Sequence, residues 1–296
     1  MMKTEETLTD LLGQQAARMN VNASWSLIDL KTEHRISTLG DEPTPTSTFD
    51  TLFWYVALVY AGYQGEVDLR QNCTLESRHR QDGHRGVIGC MSEGLRLQLG
   101  DFLAQTVITG DPVAFAVAKE AIELQGVSAT QLVNHLLQQF GAGPVEGRAT
   151  LSHDGLTGVS IGSTSTDEVV NLLKCLVESP SSSSSRSIPR EVVERCLQVF
   201  GSVHKGGGLG RGLPGYGPFS TKVAHVARGG SGNNTRVRND GAIFYDGGSP
   251  RIILGVSITG IPEWQGNLPG LAVAEDFMMR ASQLAWRYFT GAQLQT

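Results

Sequence analysis

The chain has 296 residues, 40% of them hydrophobic and 18% charged, with a formal net charge of −5. That apolar content excludes a disordered chain, and the length suffices for one large domain or for two lobes sharing a core. The weak acidity excludes unspecific nucleic-acid binding, which needs basic patches. The nearest approach to one, Arg78, Arg80 and Arg85, is interrupted by His79, Asp82 and His84 and reads as a solvated loop.

Residues 1–10 are polar and contain no apolar run, so no signal peptide is expected and the default location is cytoplasmic. Residues 5–19 then carry Leu8, Leu11, Leu12, Ala16 and Met19 at helical spacing. Residues 23–30 alternate, a polar turn follows at 31–34, and residues 35–39 complete a predicted strand hairpin. Pro43-Thr44-Pro45 makes a turn. Next comes Thr46-Ser47-Thr48-Phe49-Asp50, running into an apolar helix. The longest apolar run, 52–61, is too short to span a bilayer and predicts a buried helix with no membrane partner.

Residues 63–92 are punctuated by Gly65, Asn72, Asp82-Gly83 and Gly86 and predict irregular chain. Helices are expected over 95–108, over 113–124 with Pro112 near the first turn, and over 128–140 with Ser128 as N-cap. A long Gly/Thr/Ser-rich loop covers 141–163. Ser165-Thr166-Asp167-Glu168 has the form of a capping box opening a helix to 177. A Pro/Ser spacer (179–187), a helix (189–200) and a glycine-rich connection (206–217) follow. Strands are expected at 221–226, 241–245 and 252–259, and a last helix at 271–289.

The four cysteines, Cys73, Cys90, Cys175 and Cys196, show no CxxC or Cys/His ligand spacing. They read as reduced thiols, so neither a metal nor another cofactor is expected.

Strands at the two chain ends with helices between them predict an α+β fold. An antiparallel sheet flanked by terminal helices is built from 1–46 and 214–296, and an all-helical lobe from 47–213. The Ser47 helix leaves the first for the second, so Ser47 is expected at the cleft between the lobes, where ligands usually sit. A serine at a helix start faces unpaired backbone N–H groups, which suits an N-cap or a nucleophile.

At this point the chain resembles the class A β-lactamases, and more broadly the serine β-lactamase and penicillin-binding-protein superfamily, from about residue 23 to residue 289. Ser47-Thr48-Phe49 before an apolar helix resembles the family's Ser-x-x-Lys segment. Gly110-Asp111-Pro112-Val113-Ala114 resembles the Ser-Asp-Asn segment. Val223-Ala224-His225, with the glycine-rich turn and strand after it, resembles the strand carrying Lys-Thr-Gly. The resemblance implies the lactamase-like fold and a serine nucleophile at Ser47.

Each motif also departs from that pattern. The lysine position is Asp50, one turn after Ser47 on the same helical face. A carboxylate in a helix's first turn is favoured in its charged form, which makes it a weak base. Gly110 and Pro112 replace the serine and asparagine, leaving Asp111, a residue type that more often ties down a loop. His225 falls near the second lysine position, followed by Ala227-Arg228-Gly229. The long loop has no Glu-x-x-Leu-Asn segment. Its ionisable side chains are Glu146, Arg148, His153 and Asp154.

The catalytic candidates are therefore Ser47, Asp50, His225 and Arg228, with Gly110, Asp111, Cys90 and Gly229 as substrate-binding positions. In one reading Ser47 is a nucleophile with His225 as base. In another Ser47 only donates hydrogen bonds, and Asp50, His225 and Arg228 do acid/base or electrostatic work in a cyclisation or isomerisation. Asp50 and Arg228 also fit a plain ion pair. Cys90 is expected as a buried thiol, or else as a nucleophile at the rim. The expected function is small-molecule, biosynthetic chemistry on a lactamase-like fold. The alternative is a pseudoenzyme that binds a small molecule. β-Lactam hydrolysis requires residues this sequence lacks.

Overall fold

The computed structural model describes residues 5–45, 49–80, 86–140, 163–178, 187–203, 208–213, 223–228 and 237–291. In chain order the elements are α1 (Glu5–Arg18), β1 (Asn22–Asp29), β2 (His34–Thr38), β3 (Thr44–Pro45), α2 (Phe49–Gln64), β4 (Asn72–Thr74), β5 (Arg96–Gln98) and α3 (Leu99–Ile108). Next come α4 (Pro112–Leu124), α5 (Ala129–Phe140), β6 (Ser163–Thr164), α6 (Thr166–Glu178) and α7 (Arg190–Ser202). The chain closes with β7 (Val223–Arg228), β8 (Arg238–Asp246), β9 (Ser249–Thr259), β10 (Trp264–Gln265), β11 (Leu268–Pro269) and α8 (Gly270–Thr290). The fold is α+β, as expected. It divides into two compact units: Met1–Phe49 with Ser163–Lys174 and His204–Thr296, and Asp50–Gly162 with Cys175–Val203.

The first unit is built on a five-stranded sheet in the order β2-β1-β9-β8-β7, every neighbouring pair antiparallel. Tight turns set its registers. At the β1–β2 turn the Asp29 carboxylate accepts hydrogen bonds from the Lys31 N–H and the Thr32 hydroxyl. The β8–β9 turn runs through Gly247 and Gly248, both at positive φ (56° and 89°), as a two-residue hairpin loop requires. Strand alternation then sorts the two faces. Trp25 and Leu27 of β1, Ala242 and Phe244 of β8, and Leu254 and Val256 of β9 point to α1 and α8. There they join Leu8, Leu12, Phe277, Met278 and Ala281 in one apolar core.

The opposite face is small and polar where it matters here. Ser24, Ser26, Asn239 and Ser257 are buried on it, with Gly241 and Gly255 between them. The start of α6 lies over these glycines. A Cβ on Gly255 would stand 3.3 Å from the Thr166 carbonyl oxygen, and one on Gly241 would stand 3.2 Å from Val169 Cγ1. The expected capping box is present, with Ser165 Oγ accepting from the Glu168 N–H and Glu168 Oε2 accepting from the Ser165 N–H. This packing draws Ser163–Lys174 into the sheet unit, a segment that the sequence reading grouped with the helical block.

The second unit packs helices around α2. From Leu52 to Val59 every residue of α2 is buried, so the helix is enclosed on all sides. Trp54 stacks on Phe115 of α4 (ring centroids 4.5 Å apart) and Tyr55 lies against Phe200 of α7 (6.0 Å). Two expectations change here. The helix predicted over 95–108 begins at Leu99, because Arg96–Gln98 pair as a strand with Asn72–Thr74, Leu97 opposite Cys73. Residues 63–92, predicted irregular, hold β4 and 3₁₀ turns at Ser77–His79 and Ile88–Cys90.

Candidate functional site

Ser47, with Thr46 and Thr48, lies outside the described residues, but the chain on both sides of it is described. On the near side, β3 pairs with β6, and the Thr44 hydroxyl donates to the Thr164 carbonyl (3.1 Å). The Pro45 carbonyl accepts from Asn239 Nδ2 (3.0 Å), and Asn239 Oδ1 accepts from the Ser257 hydroxyl (2.7 Å). Asn239 and Ser257 are buried, so this chain runs from strand β9 through β8 to the backbone two residues before Ser47. On the far side, Phe49 is fully buried, its ring 3.5 Å from where a Gly241 Cβ would be. Burial of such a ring is worth about 1.5–3 kcal/mol. Asp50 is the second residue of α2.

Among the described residues β7 is one of the two edge strands of the sheet, and it carries the other two catalytic candidates. His225 is opposite Ala242 and Arg228 opposite Asp240, with a register shift between His225 and Ala227. A bulge of this kind changes which positions share a face. The positions opposite Ile243 and Gly241, on the sheet face that holds Phe49, are Ala224 and Ala227. Those of His225 and Arg228 pair with residues on the α8 side. The carboxylate in register with Arg228 is thus Asp240. It is buried, and its Oδ2 accepts from the Leu209 N–H (2.7 Å). Gly208 is needed beside it: at φ +57°, any Cβ there would meet Asp240 Oδ2 at 2.0 Å. Gly229 lies outside the described residues.

In the second unit, Cys90, Gly110 and Asp111 come together. Gly110 takes φ +63° and delivers Asp111 to the start of α4, with Pro112 at its first position. The Asp111 carboxylate is buried and used by the backbone. Oδ1 accepts from the N–H groups of Val113 (2.9 Å) and Ala114 (3.0 Å), and Oδ2 from that of Ile88 (2.6 Å). Its geometry is that of a loop tie, with its acceptors turned inward. Ile88 takes the buried place in the Ile88–Cys90 turn and leaves Cys90 exposed, which corrects the expected buried thiol. Cys73 and Cys196 are buried, and burial pushes both thiols up.

Arg78 and His79 of the basic run are stitched to α4, while Arg80 donates to the Met91 carbonyl. Arg78 pairs with Glu120 through Nε (3.1 Å) and Nη2 (2.6 Å) and also with Glu76. His79 Nδ1 accepts from the Glu76 N–H (3.0 Å), which leaves Nε2 to carry the proton toward Glu120 Oε2 (3.0 Å). The Arg78 hydrogen bonds, with His79 beside them, hold the Glu120 carboxyl down at about 2. Among the described residues no group of His, Cys, Asp and Glu side chains is arranged to hold a metal.

Sequence reasoning missed Asn239 and Ser257, which brace the approach to Ser47. A signal was present. Asn239 and Asp240 are strand-averse residue types directly before an apolar run, and the predicted strand was begun after them, at 241. In the structure the strand starts at Arg238.

Solved structures share this fold over nearly the whole chain. The β-lactamase from Sphaerobacter thermophilus matches with a TM-score of 0.75 at 17% identity, covering 99% of this chain and 100% of its own. That from Xanthomonas campestris pv. campestris matches at 0.76 and 16%, covering 98% and 100%. A point mutant of PBP-A, solved as an acyl-enzyme complex with penicillin G, matches at 0.70 and 16%, covering 97% of each chain. No curated protein sequence matches. At such identities the likeness establishes the fold. Kinship rests on the sequence itself, which matches the β-lactamase enzyme family over residues 3–289, and to that family the chain belongs.

Proposed function

We propose that the chain is an enzyme of small-molecule, biosynthetic chemistry in which Ser47 and Asp50 form the reactive pair. Ser47 Oγ attacks an acyl carbon, and Asp50, one helical turn along, takes the hydroxyl proton. The bond from the acyl carbon to its leaving group breaks as Asp50 returns that proton to the departing group, leaving an acyl-enzyme. The acyl group then passes to water or to a second small molecule. The observation that supports this reading is the bracing on either side of Ser47: the Pro45 carbonyl held by Asn239, and Phe49 buried on Gly241. Holding a nucleophile in a set geometry is a main source of rate in such sites. Asp50 is taken as the base, although its place in the first turn of α2 weakens it, because it lies at the start of that helix, one turn along from Ser47. Asp50 also supports a step without acyl-enzyme, as acid and base in a cyclisation or isomerisation.

A second reading, ligand binding without turnover, draws on Asp111. Its carboxylate is occupied by backbone N–H groups, and its neighbours Gly110 and Pro112 have no polar side chain to offer a substrate.

Intact-mass spectrometry after exposure to a fluorophosphonate and to penicillin G separates the readings. The acyl-transfer reading expects a single adduct that disappears in Ser47→Ala and forms at least tenfold more slowly in Asp50→Asn. No adduct with either reagent counts against it. An adduct formed equally fast by Asp50→Asn removes that residue's role.

A further inference from the structure

A second concavity lies wholly inside the helical unit, between the C-terminal end of α2, the loop after it and the first turns of α7. Its volume is about 640 Å³, within the range of small-molecule sites. The loop is held close to α2 because Gly62 has no side chain: a Cβ there would meet Leu69 Cδ1 at 2.4 Å. The helix ends on Gly65 at φ +79°, with the Glu66 N–H returning to the Ala61 carbonyl (2.9 Å). That sharp end folds Val67 and Leu69 back beside Val59, and Val192 of α7 completes an apolar floor. Val59, Val67 and Val192 are each at most 3% exposed. Tyr63 forms an aromatic side that is 52% exposed.

Two guanidinium groups, of Arg70 and Arg195, line the same space, and among the described residues neither is in an ion pair. Arg195 is set in place. Its Nη2 occupies the room left by Gly100, 2.2 Å from where a Cβ would be, and the guanidinium lies beside the buried Tyr55 phenol. Two acidic residues, Asp68 and Glu191, also line the space and match these charges in number, but among the described residues neither is ion-paired to Arg70 or Arg195. Asp68 turns back on its own loop, its Oδ1 accepting from the Arg70 N–H (2.9 Å). Glu191 sits exposed in the first turn of α7. An apolar floor, an aromatic side and two guanidinium groups with no ion-pair partner among the described residues call for a ligand with a matching anion and an apolar body.

We propose that this cavity binds a small organic anion with an apolar body, a carboxylate or a phosphate ester, independently of Ser47. Isothermal titration of the full chain with 4-phenylbutyrate, phenyl phosphate and the cation phenethylammonium tests it. The expected result is one saturable site for an anion and no saturable binding of phenethylammonium. The tighter of the two anions identifies the source as carboxylate or phosphate. Ser47→Ala should bind as the wild type does. Arg70→Gln and Arg195→Gln should each weaken binding about fivefold or more. Because Arg195→Gln also removes a neighbour of Tyr55, the exposed Arg70→Gln is the deciding variant. No saturable binding of either anion overturns the proposal. So does equal affinity for phenethylammonium, unchanged affinity in Arg70→Gln, or loss of binding in Ser47→Ala.

Discussion

Asn239 is a buried amide whose carbonyl and amino ends both have work: one takes the Ser257 hydroxyl and the other holds the Pro45 carbonyl. Replacing it with Leu strands a buried hydroxyl and a backbone carbonyl together. Asn239→Leu is expected to lower stability in urea denaturation by about 1–3 kcal/mol, and Ser257→Ala by less, since Asn239 then keeps its bond to Pro45. Glu120 belongs to the same scale and carries a pH signature. Its carboxyl is lowered from an ordinary 4.5 to about 2 by Arg78 and His79. A lowered folded-state value means that the ionised pair stabilises the fold above about 4.5, and that this contribution fades as pH falls toward 2. Glu120→Gln should therefore be less stable than wild type at neutral pH, and the gap should close across that window in pH-resolved denaturation. Glu120 is more than a third exposed, so the gap is expected to be small.

Elements were legible where periodicity was long and caps were local. The hairpin of β1 and β2, the N-cap at Ser128 and the capping box of α6 all follow from residues within a few positions of one another. The Gln131 N–H donates to Ser128 Oγ at 3.4 Å, as the N-cap reading requires. Removing the α6 cap with Ser165→Ala should cost about 1 kcal/mol in the same denaturation assay. Illegible elements were those fixed by distant partners. Leu97 reads as helical from its own neighbours, yet the strand 72–74 claims it. The position of α6 over the sheet depends on Gly241 and Gly255, far later in the chain, where no side chain announces the contact. The site divides in the same way. Ser47 and Asp50 are candidates on local spacing alone. The register shift that sets the positions of His225 and Arg228 depends on pairing with β8 and leaves no local trace.

At the scale of the molecule, the α+β class was readable from the order of predicted strands and helices, because strands at both chain ends leave few ways to form one sheet. What the order does not carry is the depth of each side chain. Cys90 shows this: a free cysteine is usually buried, yet in the Ile88–Cys90 turn it is Ile88 that goes inside. The thiols make that difference measurable. Cys90 should react at once with Ellman's reagent in the native protein, while Cys73 and Cys196, buried and with raised thiol pKa, should react only as the helical unit opens. The rate of their slow phase then reports opening of that unit.

The grip of Asn239 on Pro45 has a consequence for how such a chain changes over time. It is made to a main-chain oxygen, which every amino acid supplies, so it does not register which side chains follow. Substitutions in the next few positions can exchange one set of reactive groups for another while the scaffold keeps its hold on the backbone leading to them. A library randomised at 46, 47, 48 and 50 should therefore yield mostly folded members. The same separation of support from chemistry makes this segment a place where new activities can be selected without first repairing stability.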